Sequence, residues 1–428
     1  MSSRARLLVQ PTAGRYRWVI LGAFFVTQAL CYTTWYCFPV VLVKLLDEFG
    51  WSRASTSATL SIFIITTGLV GPIIGSWTDR FGAKLVVTGG ALVMGVGLLG
   101  ASQATEQWHL YLCYGIFCGL GMSATGWVPS VTALLRWFPT TIGTASGIVS
   151  AGIGVGILVL VPSLQRLMET AGWRGAFLVL GIVILAIVVP VNLLLQRDGP
   201  HSATRTSSSK HIGDDLILDH EWVNRRWTVG TATRTFRFWA LFIQQTAGSL
   251  TIQLIIVHQA AFLVDRGYDL AIGALVAGII GLSSIGAKLT WGPLSDRFGR
   301  EPVFTIASSL MPLALIPLWS SNPENGILLP VTFALVMGAG YAVGATLNPA
   351  LAADIFKGPN FGAIFGTLGV SVAIGGSLGP WLAGLVFDAT GSYASAFLVA
   401  AAASGISILL VWFAAPRSVR RTPGRRVG

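Results

Sequence analysis

The sequence predicts an all-α membrane protein of twelve transmembrane helices, arranged as two pseudo-symmetric six-helix bundles with both termini in the cytoplasm. Three observations indicate this class: composition, the recurrence of apolar stretches, and the distribution of basic residues. Of the 428 residues, 53% are hydrophobic and only 11% are charged, whereas soluble proteins carry about 25% charged residues. So few charged residues cannot cover a water-exposed surface, which indicates that lipid surrounds most of the protein.

The apolar stretches have the length of about 20 residues that a helix needs to cross a bilayer. The first is too long for a signal peptide, so we expect an uncleaved first span. These stretches define an N-terminal bundle over 1–196, a linker over 197–237, and a C-terminal bundle with a short basic tail over 238–428. The predicted spans are 18–43, 56–77, 84–103, 109–133, 143–166, 174–196, 238–263, 273–294, 302–320, 326–350, 361–386 and 392–414.

The basic residues give the orientation. With the N-terminus inside, 22 of the 28 lysines and arginines lie in cytoplasmic segments and five lie in outer segments. Membrane proteins concentrate basic residues on the cytoplasmic side in this way. The formal charge of +11 therefore reflects topology, and we expect no nucleic-acid partner. The expected protein is a multi-pass monomer of a bacterial inner (plasma) membrane.

The linker over 197–237 is the one long hydrophilic stretch. Its serines, threonines, acidic patch and arginines are typical of a partly mobile connection between two bundles. A short amphipathic helix around 216–223 fits the pattern of apolar residues. The stretch is too short to form an independent regulatory domain.

An internal repeat supports the division into two bundles. Six-span units that occur twice in parallel orientation form pseudo-symmetric halves, with a binding site between them near the middle of the membrane. Several glycines and an acidic residue also recur at an offset of 219, from Gly119 and Glu169 to Gly338 and Asp388. At an offset of 217, Gly75, Asp79, Arg80 and Gly82 recur as Gly292, Asp296, Arg297 and Gly299.

The first copy of this repeat extends to Lys84 and reads G-x-x-x-D-R-x-G-x-K between spans two and three. By this motif the chain resembles the major facilitator superfamily over its whole length. The resemblance implies that the motif braces and gates the protein without touching substrate. Tight turns are expected at the two motif glycines, and Asp–Arg pairs can cap helix ends and bridge helices in one conformational state. The expected gating residues are Gly75, Asp79, Arg80, Gly82, Lys84, Asp296 and Arg297.

Two further segments, 136–156 and 257–269, resemble the monocarboxylate-transporter and oxalate:formate-antiporter branch of that superfamily. Within the first segment, Gly147 and Ala151 form a small-x-x-x-small face, as do Gly152 and Gly156, and such faces permit close helix packing. The branch implies a small organic anion as substrate.

Lys288 is the only charged residue well inside a predicted span, about six residues or roughly 9 Å from its cytoplasmic end. An ionisable residue within a membrane marks a functional site by default. The alternative is an amine that reaches back to the headgroups. Glycine and serine around Lys288, including Gly281, Ser284 and Gly286, fit a cavity better than lipid. Since no protein carboxylate lies at that depth, we expect the solute to supply the anion.

The resemblance supports the same residue. Members of this branch carry a cation on span eight, usually arginine, and Lys288 occupies that place. Ser284 stands where animal members often carry an acidic residue. Oxalate carriers add a second cation on span eleven, and this chain has none over 361–387. A monocarboxylate is therefore expected rather than a dicarboxylate, and the usual carboxylate for proton coupling is missing.

Other candidates to line the path come from helical geometry. Residues one or two turns apart share a helix face, and a polar stripe on an apolar helix must face protein or water. Interfacial or packing roles are the alternative for the tyrosines. Histidine is the side chain most often used to carry a proton near neutral pH, which makes His258 a candidate for a proton-linked role. It lies off the Gln253 face near the outer end, so a structural or gating role is also expected. The residues expected to line the path and bind the solute beside Lys288 are Tyr32, Tyr36, Gln245, Ser249, Gln253, Ser284, Tyr341 and Asn348.

These features predict a secondary transporter of a small monocarboxylate that works by alternating access, with proton symport or anion exchange as its coupling. Efflux of an amphiphilic drug-like compound is the alternative among carriers. A transporter-like sensor would need a sizeable output domain, which the linker and tail do not provide. We expect no enzyme activity, cofactor or metal site, since the chain carries no nucleophile–base set, metal cluster or nucleotide-binding loop. The expected partners are a small organic anion, possible coupling protons and the lipid bilayer.

Overall fold

The computed structural model describes residues 10–51, 53–197, 216–422 and 424. Its described residues are predominantly helical, and they include one isolated β-bridge, between Ile217 and Arg420. Much of the linker over 197–237 lies outside the described residues. The α-helices are α1 Gln10–Phe49, α2 Arg53–Ser102, α3 Gln107–Leu110, α4 Gly119–Thr125, α5 Trp127–Trp137, α6 Ile142–Val155, α7 Val161–Val183, α8 Val189–Leu195, α9 His220–Asn224, α10 Val229–Ala232, α11 Phe236–Asp265, α12 Leu270–Phe298, α13 Arg300–Trp319, α14 Leu328–Tyr341, α15 Val343–Phe356, α16 Phe361–Thr390 and α17 Ala394–Ala414.

Short segments of other helix types complete the backbone. Three π-helical segments, in which hydrogen bonds run from i to i+5, connect α-helices end to end. They are Tyr111–Cys118, Gly156–Leu160 and Ile184–Val188. Two 3₁₀ turns, Pro323–Asn325 and Pro416–Ser418, precede α14 and follow α17.

Packing divides the chain into two compact units. Unit 1 comprises Met1–Pro139 and Val155–His211, and unit 2 comprises Thr140–Gly154 and Ile212–Gly428. Most of α6 therefore packs with unit 2, although the repeat in the sequence assigns it to the first bundle. The boundaries of the two six-helix bundles stay a prediction.

Two long helices contain a sharp break at a glycine. Gly82 in α2 has φ 81° and Gly172 in α7 has φ 69°, a left-handed backbone region that glycine adopts without steric cost. Each break separates two of the predicted spans. Gly299, the equivalent of Gly82 in the repeat, has φ 108° and separates α12 from α13. The tight turns expected at the repeated motif are thus present in both copies.

Nine helical stretches among the described residues are long and apolar enough to cross a membrane. Two of them, Ser55–Ser102 and Ile142–Leu195, each cover two predicted spans. The predicted span 109–133 is divided among α3, a π segment, α4 and α5, and it is not one of the nine. Many large apolar side chains are exposed, among them Leu194 at 70% and Leu398 at 72%, as expected where lipid covers the surface.

Each unit has its own apolar core. In unit 1 an aromatic cluster is centred on Tyr114, whose ring packs against Phe38, Phe63 and Phe177 at centroid distances of 4.9–5.5 Å. Its hydroxyl donates to the carbonyl oxygen of Thr34. Burial of each such side chain stabilises the folded state by about 1.5–3 kcal/mol.

In unit 2 the corresponding core gathers side chains from α11, α12, α13, α14, α16 and α17, Phe262, Met311, Phe333 and Phe397 among them. Close approach of α11 and α16 depends on glycine. A Cβ atom at Gly379 would lie 2.7 Å from the carbonyl oxygen of Leu250, so a larger residue there would force the two helices apart.

The end of the linker and the C-terminal tail form one folded cap on unit 2. Leu218 N donates to Val419 O at 2.9 Å, and Arg421 N donates to Leu216 O at 2.7 Å. The helix expected around 216–223 is instead α9, His220–Asn224, capped by the carboxylate of Asp219. Residues 216–218 lie outside this helix and pair with the tail, with Ile217 and Arg420 forming a β-bridge.

Two tryptophans anchor this cap. Trp227 is 1% exposed, and its ring packs edge-on against Phe356 at 5.3 Å. Trp222 Nε1 donates to Ile355 O at 2.8 Å. The described part of the linker, from residue 216 onward, is therefore folded and packed against the rest of unit 2.

Candidate functional site

Lys288 is a buried cation in unit 2. It lies on α12, ten residues before the end of the helix at Phe298, which corresponds to about 15 Å at 1.5 Å per residue. Only 3% of the residue is exposed. An amine that extends along lipid toward the headgroups would be exposed, so this burial is incompatible with the snorkelling interpretation.

Lys288 has an aromatic partner in Tyr341, the last residue of α14. The Nζ atom lies 5.4 Å from the centre of that ring, within the range of a cation–π interaction. The structure records no ion pair for Lys288 within the part of the chain that it describes. Ser284, one turn earlier, is 2% exposed and donates to the carbonyl oxygen of Gly281 at 2.7 Å. The predicted pair Lys288 and Tyr341 is thus brought together.

Two glycines place α6 directly against the helix that carries Lys288. A Cβ atom at Gly147 would overlap the carbonyl oxygen of Lys288, and one at Gly292 would overlap the carbonyl oxygen of Gly143. These helices meet backbone to backbone, as the small-residue face at Gly147 predicts. Any larger residue at Gly147 would displace the turn of α12 at Lys288.

Asn348 belongs to a buried polar network that joins α11, α15 and α17. Gln244 Nε2 lies 3.3 Å from both Asn348 Oδ1 and Ser407 Oγ, and Ser407 Oγ donates to Gln244 O at 3.1 Å. Gln244 Oε1 is buried and has no hydrogen-bond partner among the described residues. Sequence reasoning missed Gln244 and Ser407, because 163 positions separate them and only the packed helices bring the two together.

The predicted stripe on α11 faces α16. Ser249 Oγ donates to Val372 O at 2.8 Å. A Cβ atom at Gly376 would lie 3.4 Å from Ser249 Oγ and 3.9 Å from Gln253 Cγ. Gln245 is 3% exposed, and its Nε2 atom is buried with no hydrogen-bond partner in the part of the chain that the structure describes. An unsatisfied buried amide costs about 1–3 kcal/mol and is available to a polar ligand.

Tyr32 and Tyr36 lie in unit 1 on α1. Their rings stack at 6.5 Å, and each also stacks on Trp35, at 6.3 and 6.5 Å. Both are half-buried. The stacked rings agree with a packing role for Tyr32 and Tyr36. Their role in lining a substrate path stays a prediction.

The second copy of the repeated motif is the centre of a buried ionic cluster. Arg300, 3% exposed, pairs with Asp296 and, at 2.9 Å, with Asp354. The other oxygen of Asp296 accepts hydrogen bonds from the backbone N of Thr144 at 2.9 Å and from its hydroxyl at 2.6 Å. A carboxylate at the start of α6 is favourable because helix N-termini carry partial positive charge. Arg297 is exposed and lies over Phe298.

The first copy has a different environment. Gly75 is buried, and Arg80 is exposed with its guanidinium 5.1 Å from the centre of the Phe81 ring. Asp79 and Lys84 are half-buried. The equivalent of Arg300 in this copy is Ala83 by offset, so the first copy lacks the buried arginine of the second.

His258 lies on α11, whereas Lys288 lies on α12. His258 connects α11 with Pro380 of α16 and with Tyr393, just before α17. Its Nδ1 lies 3.3 Å from the hydroxyl of Tyr393, and its Nε2 lies 3.1 Å from the carbonyl oxygen of Pro380. These contacts agree with a structural role for His258, while a proton-linked role stays a prediction.

Comparison with known proteins identifies the family. The family model described as Major Facilitator Superfamily matches residues 24–289 and 265–428. Human "Monocarboxylate transporter 11" is 27% identical over 96% of this chain and 85% of its own length. Bovine "Monocarboxylate transporter 13" is 28% identical over 94% and 91%, and the Bacillus subtilis "Uncharacterized MFS-type transporter YcxA" is 26% identical over 93% and 95%.

Solved structures agree at the level of fold. The proton:xylose symporter XylE has a TM-score of 0.72 at 14% identity, covering 95% of this chain and 96% of the other. The E. coli fucose:proton symporter FucP has a TM-score of 0.65 at 14% identity, covering 92% and 98%. The chain belongs to the Major Facilitator Superfamily, and it is a multi-pass membrane transporter, not an enzyme.

Proposed function

We propose that this carrier transports a small monocarboxylate, such as lactate, pyruvate or another short organic acid, and that Lys288 binds the carboxylate. The observation that carries the proposal is the burial of an ammonium group, 3% exposed, with no ion pair among the described residues. An isolated buried charge is unfavourable by several kcal/mol. An anionic solute removes that cost when it binds.

The surroundings of Lys288 favour a small ligand with one carboxylate and an apolar part. Tyr341 offers an aromatic face beside the amine, and α6 closes one side of α12 at Gly147. The sequence of α16 carries no second cation for a second carboxylate. Several relatives are named monocarboxylate transporters, which supports the same substrate class.

The membrane arrangement is part of the proposal. We place twelve crossings in two six-helix bundles, 1–196 and 238–428, with both termini cytoplasmic and the linker and tail on that side. The breaks at Gly82 and Gly172 support division of the two longest helical stretches into pairs of crossings. The excess of basic residues in the proposed inner segments supports the orientation. A bacterial plasma membrane fits the relative from Bacillus subtilis.

Coupling to protons is proposed through the site itself. Lys288 and the carboxylate can bind a proton and the solute together, giving electroneutral symport by alternating access with one residue in both roles. Desolvation disfavours the charged amine and a bound anion favours it, so protonation and solute binding are linked.

The test is uptake of radiolabelled short monocarboxylates into proteoliposomes that contain purified wild-type carrier or Lys288→Ala. Wild type is expected to accumulate at least one acid, and Lys288→Ala is expected to lose uptake while it inserts normally. The matched control is Arg226→Ala, which removes an exposed cation outside both the repeated motif and the Lys288 site. Normal uptake by Lys288→Ala at equal protein density would contradict the proposal.

A further inference from the structure

A cleft in unit 1 lies where three helical segments end, and its charged lining is entirely basic. Lys84 follows the break at Gly82, Arg136 lies in the last turn of α5, and Arg197 follows the end of α8. Trp137 also lines it. Within the described part of the chain, no carboxylate contributes to the lining of this basic cleft.

Two hydrogen bonds, neither of which uses the side chain of Lys84 or Arg197, hold the backbone beside the basic cleft. Trp137 Nε1 donates to the backbone oxygen of Arg197 at 3.2 Å, and Tyr16 OH donates to Leu195 O at 2.6 Å. The guanidinium of Arg197 lies 4.5 Å from the centre of the Tyr16 ring. The backbone that carries Arg197 is therefore fixed, and an incoming anion meets a positioned cation.

Exposed apolar side chains neighbour the cleft residues along the chain. Leu85, next to Lys84, is 60% exposed, and Leu194, near Arg197, is 70% exposed. Trp77 is 51% exposed on the same helix as Lys84. Basic groups at helix ends beside exposed aromatic and aliphatic side chains are typical of the headgroup region of a bilayer.

We propose that the basic cleft binds the phosphate of an anionic phospholipid headgroup, with the acyl chains against the exposed apolar residues. Arginine holds phosphate oxygens in a fork of N–H donors, and lysine adds a point charge. A free phosphate ion could contact the same cations, but it has no apolar part to contact the exposed apolar residues. This inference rests on the proposed membrane arrangement and is independent of the solute that Lys288 binds.

The experiment measures binding of phosphatidylglycerol, phosphatidylcholine and inorganic phosphate to the purified full-length carrier in detergent, by native mass spectrometry and by competition with a fluorescent phosphatidylglycerol. Wild type should prefer phosphatidylglycerol. A basic residue near an anionic lipid surface corresponds to about fivefold in affinity. Lys84→Gln with Arg197→Gln should thus weaken phosphatidylglycerol binding about 25-fold.

The matched control is Arg226→Gln with Arg234→Gln, which removes two exposed arginines from unit 2, and its binding should stay within about twofold of wild type. If the double variant at the cleft fails to fold, Arg197→Gln alone alters an exposed side chain and should weaken binding about fivefold. Unchanged phosphatidylglycerol binding by the folded cleft variants would overturn the proposal. Competition by inorganic phosphate as effective as that by phosphatidylglycerol would overturn the assignment to lipid. Failure of monocarboxylate uptake leaves either result intact.

Discussion

Unit 2 buries two cations to the same extent and surrounds them differently. Arg300 and Lys288 are each 3% exposed. Arg300 contacts two carboxylates, those of Asp296 and Asp354, and its Nη1 donates to Ser295 Oγ at 2.8 Å. Lys288 has the ring of Tyr341 as its recorded neighbour among described residues and no ion pair there.

The difference is the one expected if Arg300 serves the architecture and Lys288 serves the proposed ligand site. Around Arg300 the protein supplies the compensating anions, so burial is balanced in the folded chain. Around Lys288 the described residues supply an aromatic face, which compensates an ammonium only in part, by about 0.5–2 kcal/mol. We infer that Lys288 is retained for an anion that arrives and leaves, whereas Arg300 braces α12, α13 and α15.

The largest effect on stability is expected at Arg300. Arg300→Met should lower the free energy of unfolding by about 3–5 kcal/mol, because it leaves Asp296 and Asp354 buried without their cation. Thermal and denaturant unfolding of the purified carrier would measure the loss. Arg297→Met, an exposed neighbour, is the control and should change stability by less than about 0.5 kcal/mol. Equal stability of the two variants would remove the distinction drawn here.

The opposite sign is expected at the second cation. Lys288→Met should leave the free energy of unfolding unchanged or raise it by about 1–4 kcal/mol, because it replaces an uncompensated buried charge with an apolar side chain of similar length. The same unfolding measurement serves. Destabilisation of Lys288→Met by as much as Arg300→Met would mean that an anion of the protein compensates the ammonium.

The sequence predicted one of these two cations for a physical reason. Lys288 interrupts a long apolar stretch, so its cost in lipid is visible in one dimension. Arg300 stands at the edge of a predicted span, where a basic residue is ordinary. Its partner Asp354 is 54 positions away, and only tertiary packing places the two in contact.

The same limit applies to the rest of the fold. The turn at Gly82 was predictable because a short motif repeats, and the membrane class because composition excludes water as the solvent. The cap formed by Trp222 and Trp227 was not, because its hydrophilic sequence resembles a mobile linker and its stability comes from pairing with a distant tail. Nor were Gln244 and Ser407, whose contact needs two helices in register.

Conservative exchange of the two cations should sharpen the comparison. Lys288→Arg should retain part of the uptake, since a guanidinium also binds a carboxylate, with a changed preference among acids because it binds in a fork rather than as a point charge. Arg300→Lys should lose stability, by about 1–3 kcal/mol, since one ammonium cannot reproduce the guanidinium's several directed hydrogen bonds. Uptake kinetics and thermal unfolding, run on both variants, would measure the two effects. Complete loss of uptake in Lys288→Arg would indicate that the site requires an amine that can release its proton.

The smallest effect is expected at His258, which bonds Tyr393 and Pro380 away from the Lys288 site. An outside-acid pH gradient should accelerate uptake in wild type, and His258→Gln should slow it by less than about threefold, because glutamine can replace one of the two hydrogen bonds. Uptake by wild type and by His258→Gln, measured with the pH gradient present and after an ionophore has collapsed it, tests both expectations. Indifference to the gradient, with stimulation by unlabelled acid inside the vesicle, would replace symport with anion exchange.

The most direct test of the central assignment is ligand-induced stabilisation of the purified carrier by a panel of short monocarboxylates. A ligand that binds only the folded state stabilises it by about 2.7 kcal/mol at one hundred times its dissociation constant. Wild type should be stabilised by at least one acid in the panel, and Lys288→Met should gain nothing from that acid at the same concentration. Equal stabilisation of wild type and Lys288→Met would contradict the assignment of Lys288 as the residue that binds the carboxylate.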